Sequence, residues 1–417
     1  AGSPLRVAQW ASADAPVRQV QYRQAGEAAQ VTHVLLHGIG SGSASWAYQL
    51  ASSQGQSERR VLAWDAPGYG QSTHLPMAQP HARDYAEQLW QWLDALQAHA
   101  PVCLVGHSLG ALMAATTGER VYRETVLPGA VLTRVAASHI RVGTFQFFAV
   151  RRDLDALKAL MDHVIARHYP AIASAENPAL ALLDAVMERQ AALVSRWVQV
   201  GFIHGVMNTD NTSLSGETID YGPCAFMDAY DPGTVFSSID TYGRYAYGNQ
   251  PNIAQWNLTR LAETLLPLIA PDINEALELA TQAVQNFRTK HAKHWLSELR
   301  IKLGLTDCAP DTEDLNLAED YLRLLHAHHV DHTLGFRYLS DVLRGQPRPW
   351  NQLFSPSADE QQDWLANWKN RLALEPIPPG PIADKMDLKN PIVIPRNHRV
   401  EEALTLASEE SNLDRFN

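Results

Sequence analysis

Three short apolar runs near the start of the chain, "THVLLHG", "RRVLAWDAPG" and "PVCLVG", each close on turn residues. Runs of this kind predict buried parallel strands. Ahead of them, "VRQVQYRQAG" alternates apolar and polar positions as an early strand does. Between the second and third runs, "ARDYAEQLWQWLDALQAHA" carries Tyr85, Leu89, Trp92, Leu93 and Leu96 at helical spacing. The order strand, strand, helix, strand predicts a doubly wound α/β unit. From about Thr117 the pattern changes to helical periodicity. It runs through "LDALKALMDHVIARHY", "ALALLDAVMERQAALVSRWVQVGFI", "IAQWNLTRLAETLLPLI", "NEALELATQAVQNFRTKHAKHWLSELRIKL" and "LNLAEDYLRLLHAHHV". The second of these predicts a long helix ending near Ile203. "GQPRPWNQLFSPSA" reads as a turn-rich break, and "LEPIPPGPIADKMDLKNP" as a Pro-rich exposed connection. Trp90, Trp92, Trp197, Trp256, Trp295 and Trp364 lie on helical stripes, which predicts core packing.

Composition narrows the function classes. The chain has 417 residues, 46% hydrophobic and 19% charged, an ordinary globular profile. Its formal net charge is -11 and no Lys/Arg cluster stands out, which argues against a nucleic-acid partner and against an anionic membrane. No apolar run reaches membrane-spanning length. Cys103, Cys224 and Cys308 form no C-x-x-C pair, so a reducing cytoplasm is expected. The first residues, "AGSPLRVAQW", lack the pattern of a signal peptide and lack an initiator Met, and both ends read as cut ends.

Two stretches carry candidate chemistry. In "CLVGHSLGALMA", the "GHSLG" segment fits G-x-S-x-G between a strand and a helix. Ser108 would stand at the apex of the turn, and the Leu109 amide would be one oxyanion donor. "HGIGSG", with Ile39, sits where the second donor belongs, and "DAPGYGQS" occupies the loop after the next strand. Together these stretches resemble the α/β-hydrolase family over about residues 1–115. A serine nucleophile needs a base and an orienting acid from later strands. "GAVLTRVAAS" passes for one more strand, but no strand–Asp–loop–His unit follows. The predicted hydrolase part is therefore truncated.

The second stretch is "HGVMNTDNTSLSGETIDYGP", from His204 to Pro223. Asp210 and Asn211 lie in a polar loop, and "TIDYGP" is a β-like run that places Asp220 before a Gly. Phosphoryl-transfer chemistry needs a carboxylate to take the proton of the attacking hydroxyl. It also needs hard oxygen ligands for Mg²⁺. The bland alternative is a pair of Asx-rich turns serving the backbone. The stretch resembles the selenoprotein O family, kinase-like protein adenylyltransferases. "VYRETVLPGAVLTRVAASHIRVGTFQFF", "SSIDTYGRYAYGNQPNIAQWNLTRLAETLLPLI" and "NPIVIPRNHRVEEAL" extend the likeness to about residues 117–417. The resemblance implies that ATP is the substrate, that Mg²⁺ is the cofactor and that AMP passes to protein hydroxyls. By the same resemblance Asp210 is the proton acceptor, Asn211 and Asp220 hold Mg²⁺, and Arg134, Arg141 and Asp220 bind the nucleotide.

The expected architecture is thus an α/β part with a partial doubly wound sheet over residues 1–115, then a mainly helical kinase-like lobe over residues 116–417. The seam is expected near Ala114 to Gly118. The family's preceding lobe, with its Gly-rich loop and phosphate-reaching Lys, is expected to be replaced, since no Lys precedes Lys158. The resemblance also implies that the family's C-terminal tail, with its terminal Cys or selenocysteine, is missing. Three functions follow: an impaired adenylyltransferase, a serine hydrolase, or a non-catalytic chimera. His326, His328, His329 and His332 in "HAHHVDH" read either as a zinc site, with His328 and His332 on one helix face, or as a solvated helix end.

Overall fold

The computed structural model describes residues 5–10, 18–38, 41–77, 80, 82–98, 102–106, 120–122, 126–128, 136–238, 240–354 and 359–409. The chain divides into two compact units, residues 1–135 with 401–417, and residues 136–400. The expected seam at Ala114 to Gly118 lies outside the described residues.

In the first unit five strands form one sheet. They are β1 (Leu5–Trp10), β2 (Arg18–Ala25), β3 (His33–Leu36), β4 (Val61–Trp64) and β5 (Cys103–Gly106), in the spatial order β1-β2-β4-β3-β5. β3 runs parallel to both β4 and β5, as the apolar runs predict, and β2 is antiparallel to β1 and β4. Between β3 and β4 lies α1 (Ala47–Ser52), and between β4 and β5 lies α2 (Ala82–Ala95). α2 buries Leu89, Trp92 and Leu93, and the Trp92 ring stacks on Trp64 with centroids 5.9 Å apart. A short antiparallel pair, β6 (Arg120–Tyr122) and β7 (Val126–Pro128), completes the unit.

One expectation is corrected here. "PVCLVG" is not a buried strand: β5 is last in the sheet among the described residues, Cys103 is exposed and its neighbours are half-buried. β1 was not legible, because its Leu5 and Val7 face solvent and give no apolar contrast.

The second unit is mainly helical. Its first helices are α3 (Val142–Val150), α4 (Leu154–His168) and α5 (Pro178–Gln199). α5 starts on the Asn177 side chain, which accepts from the Leu180 amide, with Pro178 pre-set for the first turn. It ends at Gln199, not near Ile203. Gly201 takes a positive φ of 72°, which an L side chain rarely adopts, and Phe202–Ile203 then forms β8 against β9 (Ala225–Phe226). Next come α6 (Gln250–Ile269), α7 (Ile273–Gln285), α8 (Phe287–Leu303) and α9 (Asp311–Ala327). The single helical run read around Asn286 is thus two helices. α10 (His332–Arg337), α11 (Leu339–Leu343) and α12 (Arg348–Asn351) are short. α13 (Asp359–Leu372) and α14 (Pro379–Lys389) follow, and α15 (Asn397–Glu409) starts in this unit and runs on into residues assigned to the first.

α14 overturns the reading of its segment as an exposed connection. Its prolines stand in the first turn, where a missing N–H costs nothing, and Ile382, Ala383 and Met386 are buried. The tryptophan expectation also fails in part. Trp92, Trp197 and Trp364 are core residues, but Trp90 is 48% and Trp256 40% exposed. Trp90 and Trp256 each sit one step, about 100°, off the buried stripe of their helix. No described helix is long and apolar enough to cross a membrane.

The histidine cluster is a solvated helix end for His326, His328 and His329, which lie exposed or half-buried at the end of α9, while His332 is set apart from them. α9 ends before His328, and His332 opens α10, so the two share no helix face. His332 is buried and its ring stacks on Tyr230 at 5.8 Å. Among the described residues no three His, Cys, Asp or Glu side chains gather as a metal cage.

Beside it lies a buried amine. Lys302 on α8 donates to the Gln199 carbonyl at 2.5 Å and stands 4.0 Å from the Phe336 ring centroid. Burial, helped by Lys389, lowers its pKa to about 7. From there up to the ordinary lysine range the unfolded chain holds more protons than the folded one, so this residue's contribution to stability rises with pH. Lys302→Met is expected to flatten the rise in stability between about pH 7 and 9, and to stabilise the protein near neutrality. Urea unfolding across that range measures it; a slope equal to that of the unmodified protein contradicts the assignment.

Candidate nucleotide and metal site

The segment from His204 to Pro223 holds a single 3₁₀ turn, Thr209–Asn211. Asn208 organises it: its Oδ1 accepts from the amides of Asp210 and Asn211, both at 3.0 Å. Thr212 Oγ1 donates to the Asn208 carbonyl at 3.0 Å. The Asn211 Nδ2 donates to the Val206 carbonyl at 2.9 Å, which fixes the orientation of the amide.

Asp210 is exposed at the tip of this turn and rests against the start of α3. A Cβ on Gly143 would lie 2.1 Å from Asp210 Oδ1, so only glycine admits the carboxylate there. Two backbone bonds hold the contact: Val142 donates to the Thr212 carbonyl at 3.1 Å, and Leu214 to the Ile140 carbonyl at 2.9 Å. Arg141, the N-cap residue of α3, lies between them and pairs with Ser213. Its Nε is buried and has no hydrogen-bond partner among the described residues. A buried donor left this way is costly unless an acceptor from outside the chain meets it. The positive end of α3 adds to the attraction for an anion.

Asp220 follows Ile219, whose carbonyl accepts from His204 Nε2 at 2.8 Å. "TIDYGP" is not a strand. It is an extended loop, and Asp220 takes a left-handed φ of 62°. A non-glycine residue held in that region stores strain and is typical of functional positions. His204 is buried, and burial lowers its pKa; the Ile219 carbonyl and the Asp220 charge oppose that shift. The neutral ring with Nε2–H is the form these partners require.

The framework under the loop is made of side chains. On α5, Gln190 Nε2 donates to the Ser213 carbonyl at 2.7 Å, Arg189 Nη1 to the Ser215 carbonyl at 3.1 Å and Trp197 Nε1 to Thr218 Oγ1 at 2.9 Å. The Tyr169 hydroxyl donates to the Leu214 carbonyl. On α6, Gln250 accepts from the His204 amide at 3.0 Å, and Asn257 Nδ2 donates to the Met207 carbonyl at 3.0 Å. The structure therefore brings together Arg141, Asp210 and Asn211, and ties the Asp220 loop to them through His204. Arg134, Ser108, Leu109 and Ile39 lie outside the described residues.

A model of the family described as "Protein adenylyltransferase SelO" matches residues 103–417. The chain belongs to the SelO family. Its relatives include the "Protein nucleotidyltransferase YdiU" of Chromobacterium violaceum, 58% identical over 304 residues, which are 73% of this chain and 63% of the relative. The protein of the same name from Rhizobium etli is 54% identical over 307 residues, 73% of this chain and 61% of the relative. The chain thus spans less than two thirds of the length of these relatives. A second model, "alpha/beta hydrolase fold", matches residues 34–134, so the N-terminal region is hydrolase-like. The two matches overlap over residues 103–134. Among solved structures, a hydrolase from Pseudomonas aeruginosa PA01 is 28% identical over 26% of this chain and 39% of that chain, with a TM-score of 0.23.

The hydrolase-like loops do meet. The Ser43 amide donates to Asp65 Oδ1 at 2.6 Å, joining the loop after β3 to the end of β4. His37 is buried, accepts from the Ala66 amide at its Nε2 and contacts the Gly38 carbonyl through Nδ1. Both ring nitrogens are engaged in structure, and burial lowers its pKa.

Several residues that shape the candidate site escaped the sequence reading. Asn208, Gln190, Gln250 and Asn257 bind the backbone and Gly143 admits Asp210, all from separate places in the chain. Only Asn208 had a local signal, an Asx residue before a turn. Asn208→Ala is expected to remove the cap on the 3₁₀ turn and cost about 1 kcal/mol locally. Hydrogen exchange at the amides of Asp210 and Asn211 should quicken, with the rates of α5 unchanged; equal rates at those two amides would contradict the assignment.

Proposed function

We propose that residues 116–417 are the greater part of a Mg²⁺-dependent protein adenylyltransferase. Residues 1–115, in this reading, are a truncated hydrolase half standing where relatives carry a further lobe. The helical region is read as the kinase-like lobe, with the seam near residue 115. The observation that carries the reading is the Asp210 carboxylate against the start of α3, with the partnerless buried Nε of Arg141 at the same helix end.

The donor set fits the groups this chemistry needs. Asn211 Oδ1 and the Asp220 carboxylate are hard oxygen ligands of the kind Mg²⁺ takes, and Mg²⁺ is commonly held by one or two protein groups plus phosphate and water. Arg141, with Arg134, suits phosphate oxygens through a planar fork of donors. When bound, the metal would neutralise phosphate charge. Asp210 takes the proton as a Ser, Thr or Tyr hydroxyl of an acceptor protein attacks the α-phosphorus. The bond from that phosphorus to the bridging oxygen breaks, and pyrophosphate leaves with the electron pair. The cytoplasm supplies ATP and suits the free cysteines.

Transfer is expected to be impaired. Positioning and charge stabilisation provide nearly all of phosphoryl-transfer catalysis, and the lobe read as replaced is the one that covers the phosphates. The serine-hydrolase alternative gains nothing from His37, whose two nitrogens are occupied.

Weak, Mg²⁺-dependent ATP binding is the expected outcome by calorimetry. Asp220→Ala should abolish the Mg²⁺ dependence. Asp210→Ala should leave binding nearly intact and remove AMP transfer from labelled ATP. Gly143→Ala should also reduce transfer, because the added methyl displaces Asp210. Wild-type binding by Asp220→Ala would refute the metal-ligand reading.

A further inference from the structure

A cationic, aromatic platform lies on α6, the helix whose Gln250 and Asn257 bond to the same loop. Trp256 is exposed on α6, and two guanidinium groups flank its ring. Arg244 lies 4.7 Å and Arg260 5.1 Å from the ring centroid. Arg244 also stands 5.8 Å from the Tyr245 ring. One residue before Trp256, Gln255 accepts from Arg288 Nε at 3.2 Å, which brings a third guanidinium to this face.

The charges around these groups do not balance. Glu263 pairs with Arg260 at 2.6 Å. Asp240 spends its carboxylate on the backbone amides of Arg244 and Tyr245, at 2.8 and 2.7 Å. Among the described residues no carboxylate pairs with the side chain of Arg244 or of Arg288. In a chain of net charge -11 this is a local reversal of sign. A guanidinium is attracted to the face of an indole, and its N–H donors match carboxylates in a two-pronged geometry.

The platform is also joined to the candidate site. Asn257, next to Trp256, holds the Met207 carbonyl at 3.0 Å, and Gln250 holds the His204 amide. Asn249 donates to the Arg244 carbonyl at 2.6 Å. The same short stretch therefore supports both the platform and the strand of chain leading to Asp210.

We propose that Arg244, Trp256, Arg260 and Arg288 form a docking surface for an acidic segment of the acceptor protein. This rests on reading the Asp210 loop as a protein adenylyltransferase site. Carboxylates would meet the guanidinium N–H donors, and an apolar or aromatic side chain would cover Trp256. Docking at this face would use none of the groups proposed to bind nucleotide.

The test uses the full chain and a dye-labelled peptide of alternating Glu and Tyr, followed by fluorescence anisotropy with no ATP or Mg²⁺ present. The expected result is saturable binding that weakens with salt and is lost when Glu is replaced by Gln. Arg244→Glu with Arg288→Glu should weaken it roughly tenfold or more, since reversing charges at such a face repels the partner. Trp256→Ala should weaken it by a smaller factor. Circular dichroism confirms that each variant is folded, and calorimetry with ATP and Mg²⁺ should match that of the wild type. No binding by the wild type, equal binding by the charge-reversed variant, or equal binding of the Gln peptide would each overturn the proposal. So would displacement of the peptide by a single-stranded oligonucleotide at lower concentration, which would assign the face to nucleic acid. Loss of ATP binding in the wild type overturns the adenylyltransferase reading instead, because the peptide measurement contains no nucleotide.

Discussion

Residues 204–220 have to satisfy their backbone polar groups with only one 3₁₀ turn and no strand ladder, and everything at the candidate site depends on how this is done. A buried amide or carbonyl without a partner costs as much as a lost hydrogen bond. The carbonyls of Met207, Ser213, Leu214, Ser215 and Ile219 each accept from a side chain of a different element or of the loop itself. The donors stand on α5, on α6 and at the end of α4, all packed into one apolar core around Leu182, Val186, Leu258 and Leu261. Core packing thus sets the donors, and the donors set the loop. Asp210, Asn211 and Asp220 take their places as a consequence.

The same constraint separates what this chain retains from what its proposed chemistry needs. The framework beneath the loop lies wholly within the second unit, so the proposed base and metal ligands have their support. The partnerless Nε of Arg141 and the left-handed Asp220 are two local costs at one site. An anion at Arg141 and a cation at Asp220 would offset both. The first unit follows a different logic. Its parallel strands bury Val34, Leu36, Leu62 and Trp64 in a core of their own, and its polar loops are tied by Asp65 and His37. Those ties leave His37 with no free nitrogen for catalysis.

Sequence periodicity located the helices well where one face alone is buried, as in α4, α5, α6 and α9. It failed where the chain breaks its own pattern. α5 stops at Gln199 because Gly201 turns the backbone, although the apolar pattern continues through Phe202 and Ile203 into a strand. α14 was hidden by its prolines, which sit in the first turn, where they do no harm. Trp256 lay close enough to the apolar stripe of α6 to pass for core, and only its neighbours Arg244 and Arg260 reveal a surface residue.

Membership of the SelO family, the hydrolase-like start and the identities of Asp210, Asn211 and Asp220 as candidates were determined by sequence alone. Each rests on residue types at short, ordered spacing, which needs no fold to be seen. The glycine under Asp210, the orphaned Arg141 donor, the strain at Asp220 and the side chains that hold the loop were decided only by tertiary structure. These are contacts between residues far apart in the chain, set by how α3, α4, α5 and α6 pack. No local pattern encodes them, because each depends on the distance and direction between elements and not on the order of residues within one.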